Sequence, residues 1–289
     1  MSLYARRNEF CENQAGGPNS EKNAMNVVIT GSTKGIGFGM TREFLKRGHA
    51  VMVSSRRSEA VQKAVAAFRQ EFPQGRLAGH AADVSQYRDV QSLWDAAVAA
   101  FGRVDIWVNN AGRDGKKVPF FMLPPEDIDG VVRTNMAGLM YCNRVCVTGM
   151  YKQKGGWIWN MEGFGSNGAI RPTVSVYGAT KYAVRYFTKA LAMELEKTPV
   201  KVGYLSPGIV VTDMIVPPPD QRGERWQQTK KILNILADTV ETVTPFLVEG
   251  MLNAKESGAA VRWLDGRKVR WRYFTSLFRK RDLFGPLGF

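Results

Sequence analysis

The stretch TGSTKGIG (residues 30–37) decides the fold of this chain, because it stands between a strand pattern and a helix pattern. The apolar run NVVIT (26–30) before it is typical of a buried strand, and residues 36–47 follow a helical pattern. Its three glycines are Gly31, Gly35 and Gly37. They remove side chains where the backbone must turn and a pyrophosphate must approach, with the phosphate charge at the helix N-terminus. The stretch therefore predicts a dinucleotide-binding loop.

The rest of the chain repeats this alternation of short apolar runs and helical patterns. Predicted strands follow at 50–54, 76–82, 105–109, 156–161, 201–206 and 259–264. Predicted helices follow at 58–72, 86–101, 126–152, 175–197 and 241–255. Buried strands separated by helices favour a parallel sheet that is covered on both faces. We predict one Rossmann-type, doubly wound α/β domain of about seven strands over residues 25–265. A flexible N-terminal arm (1–24) and a C-terminal tail (266–289) flank it.

The composition excludes several other classes of protein. With 289 residues, 44% of them hydrophobic and 23% charged, the chain resembles an ordinary globular protein. No apolar run reaches the roughly 18 residues of a membrane-spanning helix, and the first residues lack a secretory signal pattern. Three cysteines argue against a disulfide framework, and two histidines in unrelated contexts argue against a metal site. We expect a reduced cytoplasmic or organellar protein without a metal.

The end of the second strand favours a phosphorylated cofactor. An NAD site usually places an acid there for the ribose diol, whereas this chain reads VSSRRS, with Ser55 and Arg56 and no acid. A guanidinium can grip a 2′-phosphate through two hydrogen bonds. Lys34 inside the glycine loop adds a second cation, while Arg57 is equally explained as a solvated helix start. The predicted cofactor is NADPH/NADP+.

A tyrosine and a lysine form the predicted chemical end of the site. Tyr177 and Lys181 are four residues apart on a predicted helix, so they share one face. An ammonium near a phenol stabilises the phenolate, so we expect the pKa of Tyr177 to be lowered toward neutrality. The phenol can then exchange a proton with a carbonyl oxygen while hydride moves to the carbon.

These motifs together resemble the short-chain dehydrogenase/reductase family over about residues 25–265. TGSTKGIG, the DV at 83–84, NNAG at 109–112, Asn135 in RTNMAG, YGATK and SPGIVVT (206–212) occur in the family's order. The resemblance implies that Asn135 holds a water beside Lys181 and that Asn109 steadies the central strand. It also implies that Asp83 and Val84 border the adenine and that Thr212 contacts the nicotinamide. The residues expected at the cofactor are Gly31, Ser32, Lys34, Gly35, Ile36, Gly37, Ser55, Arg56, Asp83, Val84, Asn110, Ala111, Gly112, Tyr177, Lys181, Pro207, Gly208, Ile209 and Thr212.

The family's usual catalytic serine is missing from its place about thirteen residues before the tyrosine. Phe164 stands there, and a shifted alignment brings Glu162 or Gly163 to the same place. An ionised Glu162 would oppose developing negative charge, so it could assist only if protonated. The nearest serine is Ser166. Either Ser166 swings into place as the fourth catalytic residue, or Tyr177 works with backbone donors.

The same departure narrows the resemblance within the family. NMEGFGS followed by VYGATK is similar to the chlorophyll b reductases of the non-yellow-coloring type, as are SPGIVVTDM and VRWL before a basic tail. These enzymes use NADPH to reduce the C7 formyl group of chlorophyll b to hydroxymethyl in chlorophyll catabolism. The apolar loop KVPFFMLPP (117–125) suits a flat macrocycle, although loop packing explains it equally well. The alternatives are a reductase of another hydrophobic aldehyde, ketone or quinone, and a non-catalytic NADP-binding regulatory protein.

The C-terminal residues carry an unusual concentration of charge. Residues 261–289 hold eight basic and two acidic residues, a net +6 of the formal +14. Aromatic residues interleave with the arginines, which favours either contact with an anionic membrane surface or packing on the domain or a neighbouring subunit. No nucleic-acid module accompanies the charge, so we expect no nucleic-acid partner. The resemblance implies a homo-oligomer, a dimer or tetramer, and in a phototrophic eukaryote a place in the chloroplast stroma or at the thylakoid surface.

The segment after the sixth predicted strand is expected to cover the site. Residues 208–235 are interrupted by Pro217, Pro218 and Pro219, which favours a mobile loop with a short helix. Such segments commonly form substrate lids.

Overall fold

The structure, a computed structural model, describes residues 24–217 and 222–285. All but the last residue of the predicted N-terminal arm lies outside the described residues, as do Pro218, Pro219 and the last four residues of the tail. The flexibility expected of the arm therefore stays a prediction.

A seven-stranded sheet forms the centre of the molecule, and every neighbouring pair of strands in it is parallel. Its strands are β1 (Asn26–Thr30), β2 (Ala50–Ser55), β3 (Leu77–Ala81), β4 (Ile106–Asn109), β5 (Gly156–Met161), β6 (Val200–Ser206) and β9 (Ala260–Arg262). Their order is β3-β2-β1-β4-β5-β6-β9, so the direction of the strand order reverses between β1 and β4. Ligands of such sheets bind at the carboxyl ends of the strands beside this reversal. The predicted fold class is confirmed.

Helices cover both faces of the sheet. They are α1 (Gly35–Lys46), α2 (Ser58–Glu71), α3 (Tyr87–Phe101), α4 (Pro125–Val132), α5 (Leu139–Lys152), α6 (Ser175–Glu194), α7 (Glu224–Leu236), α8 (Val240–Asn253) and α9 (Gly266–Ser276). Alternate strand residues serve opposite layers: Val27 and Ile29 pack with α1, α2 and α8, whereas Val28 packs with α3, α5 and α6. Burial on both sides explains why the strands read as continuous apolar runs.

The single helix predicted at 126–152 is wrong, because the structure divides it. α4 and α5 are joined by a π-helical turn at Arg133–Gly138. Wide turns of this kind inside helices are frequent at functional sites. This one contains Asn135, a residue predicted for catalysis.

The segment after β6 contains more regular structure than the sequence predicted. Two short parallel strands, β7 (Ile209–Val210) and β8 (Ala237–Asp238), pair at its two ends, and α7 lies between them. We call residues 208–238 the lid. In the tail, α9 packs against α7. Among the described residues, no helix is both long enough and apolar enough to cross a membrane.

Candidate active site

The glycine loop after β1 is held by the neighbouring NNAG segment after β4. The Asn110 side-chain amide donates to the backbone oxygens of Thr30 (2.9 Å) and Gly31 (3.0 Å). Gly31 has a φ of 64°, and a Cβ there would lie 2.9 Å from the Cα of Ala111. A Cβ on Gly37 would lie 2.5 Å from the Asn110 amide nitrogen. The glycines are therefore required by protein contacts as well as by the turn.

The first turn of α1 is open to an anion. No side chain caps this helix, so the N–H groups of its first turn are available. Gly35, with a φ of 58°, faces the side chain of Thr212 from the start of the lid. The structure thus brings the glycine loop and Thr212 together, although they are far apart in sequence. Gly208 also has a positive φ, 72°, where the chain leaves the sheet close to Leu264.

Two cations predicted for the cofactor phosphate have different surroundings. Lys34 forms an exposed ion pair with Asp213 of the lid, with 2.9 Å between the ammonium nitrogen and the carboxylate oxygen. Such exposed pairs contribute little to stability, so the pair can exchange partners. Arg56 is exposed at the carboxyl end of β2, beside the half-buried Ser55. The two residues that follow β2 are both arginines, and the first acid after them, Glu59, forms an ion pair with Lys63 of α2.

Ser32 lies in the glycine loop, but its side chain points into the protein. Its hydroxyl donates to the Ile29 carbonyl oxygen (2.7 Å) and accepts from the Ser54 N–H (2.9 Å), while its own N–H donates to the Ser54 oxygen (2.9 Å). Both of its donors are thus used between β1 and β2. This geometry supports a structural role in place of the cofactor contact that was predicted.

The predicted adenine border lies after β3. The Asp83 carboxylate accepts from both the N–H (2.9 Å) and the hydroxyl (2.8 Å) of Ser85, which fixes the turn. Val84 is buried against Gly138 of the π-helical turn. Their contact with a cofactor stays a prediction.

Asn135 is buried in the π-helical turn and is fully engaged with its neighbours. Its amide oxygen accepts from the Arg113 N–H, and its amide nitrogen donates to the Arg113 oxygen, both at 2.8 Å. The same nitrogen lies 3.1 Å from the Thr180 hydroxyl oxygen on α6. A Cβ on Gly112 would lie 3.5 Å from the Asn135 amide oxygen and 3.8 Å from the Lys181 ammonium nitrogen. Asn135 and Lys181 therefore both face Gly112.

Tyr177 and Lys181 lie together on α6, but the pKa of the tyrosine moves in the direction opposite to the prediction. Burial, together with the charge of Asp114, raises the pKa of Tyr177 to about 12. The Lys181 ammonium lies 5.8 Å from the centre of the Tyr177 ring and donates to the Met161 carbonyl oxygen at 3.0 Å. Burial lowers the pKa of Lys181 to about 8, and the nearby Glu162 opposes that shift. The lowered tyrosine pKa that we predicted is therefore wrong. The phenol remains protonated at neutral pH, which suits a proton donor.

The loop GFGSNG after β5 shows where the missing serine would stand. Gly163 lies beside the reactive end of Tyr177, and a Cβ at Gly163 would overlap the phenol oxygen. Ser166 is buried, with its hydroxyl donating to the Gly163 oxygen (2.6 Å) and accepting from the Gly163 N–H (3.0 Å). The hydroxyl of Ser166 thus shapes the loop around Gly163. The catalytic role predicted for Ser166 stays a prediction.

Glu162 has a partner that sequence reasoning missed. Its carboxylate is buried and accepts two hydrogen bonds from the Arg185 guanidinium, at 2.5 and 2.6 Å. Because Arg185 lies one turn after Lys181 on α6, the spacing i, i+4 could have indicated this cation. No pattern in the sequence indicated that the carboxylate would face this cation.

A buried amide cluster joins the strands and helices behind the site. The Asn109 amide nitrogen donates to the Asn160 oxygen across β4 and β5 at 2.8 Å. Asn160 in turn bonds Asn143 of α5 and Thr188 of α6 at 3.0 Å each. Buried amides are costly unless paired, so this cluster fixes the register of the elements that carry Tyr177. The bond from Asn109 joins β4 to β5, in agreement with the strand-steadying role that the family resemblance implied.

A small cleft with an internal volume of about 10 Å³ opens beside Tyr177. Its lining includes Asp114, Lys116, Leu123, Ile128 and Val174. Apolar side chains near this part of the molecule are strongly exposed, among them Phe121 at 86% and Ile170 at 95%. The mouth therefore suits a large apolar molecule.

The lid is fixed at its two ends by basic side chains. At its start, the Lys117 ammonium donates to the Met214 oxygen (3.0 Å). At its end, the buried Asp238 carboxylate accepts from Arg272 and Arg281 of the tail and from the Trp263 indole. Arg272 also donates to the Leu236 oxygen (2.8 Å), and Arg281 to the Ile235 oxygen (3.1 Å), which satisfies carbonyls at the end of α7.

The tail also supplies an apolar contact to the lid. Phe284 is fully buried against Trp226 of α7, with ring centres 5.5 Å apart. The described part of the tail is thus packed on the domain, one of the two alternatives that its sequence left open. Five large apolar side chains in the described part of the tail remain exposed: Trp271, Tyr273, Phe274, Leu277 and Phe278.

Comparison with known proteins places these features in a family. Residues 25–222 match the short chain dehydrogenase family. The chain is 38% identical over 259 residues to "Chlorophyll(ide) b reductase NOL, chloroplastic" of Arabidopsis thaliana, covering 86% of this chain and 73% of that protein. The protein of the same name from Oryza sativa subsp. japonica is 38% identical over 261 residues, covering 87% and 75%.

A solved structure agrees with this relationship. The 3-ketoacyl-(acyl-carrier-protein) reductase from Brucella melitensis, complexed with NADH, superposes with a TM-score of 0.70 at 27% identity. The match covers 84% of this chain and 97% of that one. The glycine loop, the NNAG segment and the Tyr177–Lys181 helix all lie within the range of the family match. This chain belongs to the short chain dehydrogenase family.

Proposed function

We propose that this protein is a chlorophyll b reductase that converts the C7 formyl group to hydroxymethyl with NADPH as the reductant. The observation that carries the proposal is the position of Tyr177, a protonated phenol on the wall of a cleft with an apolar mouth. The 38% identity to the two chlorophyll(ide) b reductases supports the choice of substrate.

A nicotinamide cofactor fits the residues at the carboxyl edge of the sheet. The uncapped first turn of α1 and the glycine loop can hold a pyrophosphate. Arg56 can hold a 2′-phosphate, since no acid is present to repel it. Thr212 faces Gly35, and its hydroxyl can bind the nicotinamide carboxamide. When bound, the reduced nicotinamide supplies the hydride that forms the new C–H bond.

The protein's own residues handle the proton. The Tyr177 hydroxyl donates its proton to the formyl oxygen as negative charge develops there. The Lys181 ammonium, held by the Met161 oxygen, stabilises the phenolate that remains and lies beside Asn135. Backbone N–H groups of the GFGSNG loop are the nearest candidates for a second donor, since the Ser166 hydroxyl is engaged with Gly163.

One assay tests the substrate. The purified protein is mixed with NADPH and chlorophyll b or chlorophyllide b, and the product is followed by absorbance and chromatography. We expect the hydroxymethyl pigment, and none from Tyr177→Phe. A folded protein that oxidises NADPH with other apolar aldehydes, ketones or quinones but not with these pigments would favour the broader reductase. Cofactor binding without any reduction would favour a regulatory protein.

We further propose a homo-oligomer formed through α5 and α6. These helices expose several large side chains: Met140, Tyr141, Tyr151, Tyr182, Tyr186 and Met193. Exposed apolar side chains that are grouped on one surface often mark a protein–protein interface. Light scattering should give the mass of a dimer or tetramer, and Tyr186→Glu should lower it.

The exposed face of the tail supports a place at a membrane surface. Trp271, Phe274 and Phe278 stand beside exposed arginines and lysines, a combination that suits an anionic lipid surface. Both relatives are chloroplastic proteins, so we place this activity in the stroma at the thylakoid surface. Sedimentation with vesicles of anionic lipid, compared with neutral vesicles, tests this contact.

A further inference from the structure

Three consecutive residues at the end of β5 engage three successive turns of α6. The Met161 oxygen accepts from Lys181 at 3.0 Å, the Glu162 carboxylate binds Arg185, and Gly163 lies against the Tyr177 hydroxyl. The helix residues are spaced four apart, so they lie on one face. Of these three contacts, only the middle one joins two charged side chains.

The ion pair is more deeply buried than a surface salt bridge. The Glu162 side chain has no exposed area, and Arg185 exposes 20% of its side chain. Arg185 also packs 5.6 Å from the centre of the Tyr204 ring, and Arg262 donates to the Tyr204 hydroxyl at 2.5 Å. For packing alone, an apolar pair of similar volume would serve as well, because burying two charges is costly.

The charged groups around Lys181 show what the carboxylate contributes. Tyr177 and Arg185 lie one turn before and one turn after Lys181 on α6, and the charge of Asp114, from the segment after β4, acts on Tyr177. Glu162 comes from the end of β5 and is the acid whose charge acts on the buried ammonium. With Arg185 binding both carboxylate oxygens, the acid is held in place. It therefore does not meet the developing oxyanion, which removes the objection raised by its position in the sequence.

We propose that Glu162, held by Arg185, is a positioning residue that fixes α6 against β5 and keeps the Lys181 ammonium charged beside Tyr177. This inference rests on the proposed reductase function. In this interpretation Glu162 and Arg185 help to position the catalytic groups, a task to which a serine at Gly163 would otherwise contribute.

The test measures the charge of Lys181 directly. Protein labelled with ¹³C at lysine Cε is titrated by NMR, and the Lys181 signal is assigned with Lys181→Met. The wild type should titrate near pH 8. Glu162→Gln leaves Arg185 buried without its partner and can misfold, so the main variant is the double substitution Glu162→Gln/Arg185→Gln. Two amides can still bond each other, but they carry no charge. We expect its Lys181 signal to titrate at lower pH.

The kinetic counterpart is a lower kcat with an unchanged KM for NADPH. A fall of roughly a hundredfold at neutral pH is the size that a small misplacement of a catalytic group produces. The alkaline limb of the pH profile should move to lower pH together with the NMR midpoint. Glu43→Gln is the matched control, because Glu43 binds Arg47 and Lys46 at the distant end of α1. It should alter neither readout.

An unchanged Lys181 midpoint in the folded double variant would overturn the inference, whatever the pigment assay shows. A shifted midpoint in a protein that fails to reduce chlorophyll b would support it and overturn only the proposed substrate.

Discussion

Two regions of this molecule are held by different kinds of contact. The first, the cofactor edge, is the glycine loop with the NNAG segment, and the second, the lid edge, is the end of the lid with the tail. At the cofactor edge, the backbone of Gly31 packs closely against the backbone of Ala111. The side-chain amide of Asn110 also donates to backbone oxygens of the glycine loop. At the lid edge, charged side chains reach across the fold, with Arg272 and Arg281 converging on Asp238. Close backbone packing therefore stabilises the cofactor edge, whereas ion pairs stabilise the lid edge.

This difference separates what the two edges can tolerate. Close backbone contacts permit glycine and little else, so the cofactor edge has a recognisable sequence pattern. Ion pairs can be made by many residues at many separations, so the lid edge has no such pattern. Substitutions at the catalytic centre, the lid and the cofactor phosphate site should therefore alter different measured quantities, and by different amounts.

Tyr177→Phe should have the largest effect, because it removes the proton donor that lies between the two edges. Losing a general acid typically costs about 10²- to 10⁴-fold in turnover. NADPH affinity should change little, since the substitution removes only one hydroxyl and leaves the glycine loop and Arg56 intact. Single-turnover hydride transfer and fluorescence titration of NADPH measure the two quantities. Turnover close to that of the wild type would mean that another group supplies the proton.

Asp238→Asn should release the lid while leaving the cofactor edge intact. Removing one partner of a buried ion pair typically costs about 3–5 kcal/mol, because the remaining charge is left uncompensated. We expect faster hydrogen exchange in α7 and a higher KM for the pigment, with an unchanged dissociation constant for NADPH.

Asp265→Asn is the control for the lid. Asp265 caps α9 through a bond from the Lys268 N–H, and an amide oxygen can accept the same bond. If both variants behave alike, or if Asp238→Asn loses NADPH first, the lid and the cofactor edge are not separable in the way that their contacts indicate.

Arg56→Ala should weaken NADPH about ten- to a hundredfold and leave NADH nearly unchanged, since a hydrogen bond to a charged group is worth roughly 1.5–3 kcal/mol. Dissociation constants for both cofactors give the ratio. Arg57→Ala is the matched control, because Arg57 occupies the N-cap position of α2. Equal losses for NADPH and NADH would assign Arg56 a structural role.

Ser166→Ala should have the smallest effect on hydride transfer. Its hydroxyl bonds the N–H and the oxygen of Gly163, so its removal should destabilise the loop by about 1–3 kcal/mol and change the chemical rate only slightly. A barrier increase of about 2–4 kcal/mol, measured in single turnover at saturating NADPH, would instead restore Ser166 as a catalytic donor.

The order of strands and helices could be predicted because local patterns encode it. The glycine loop, the strand ends and the Tyr177–Lys181 helix depend on residues that are neighbours in sequence. The Glu162–Arg185 pair joins residues 23 apart, and the Asp238–Arg281 pair joins residues 43 apart, with no periodic signal to connect them. The direction of the Tyr177 pKa shift was missed for a related reason. Burial outweighs the neighbouring ammonium, and burial depends on the whole fold.

The close approach of Gly163 and Tyr177 also restricts how this enzyme can evolve. A serine at Gly163 would resemble the common family pattern, but its Cβ would overlap the phenol oxygen and lie 3.2 Å from carbon atoms of Lys181. The first mutational step toward that pattern would displace the proton donor before the new hydroxyl could help. A serine at this position would therefore require a compensating shift of the loop or of the Tyr177 side chain.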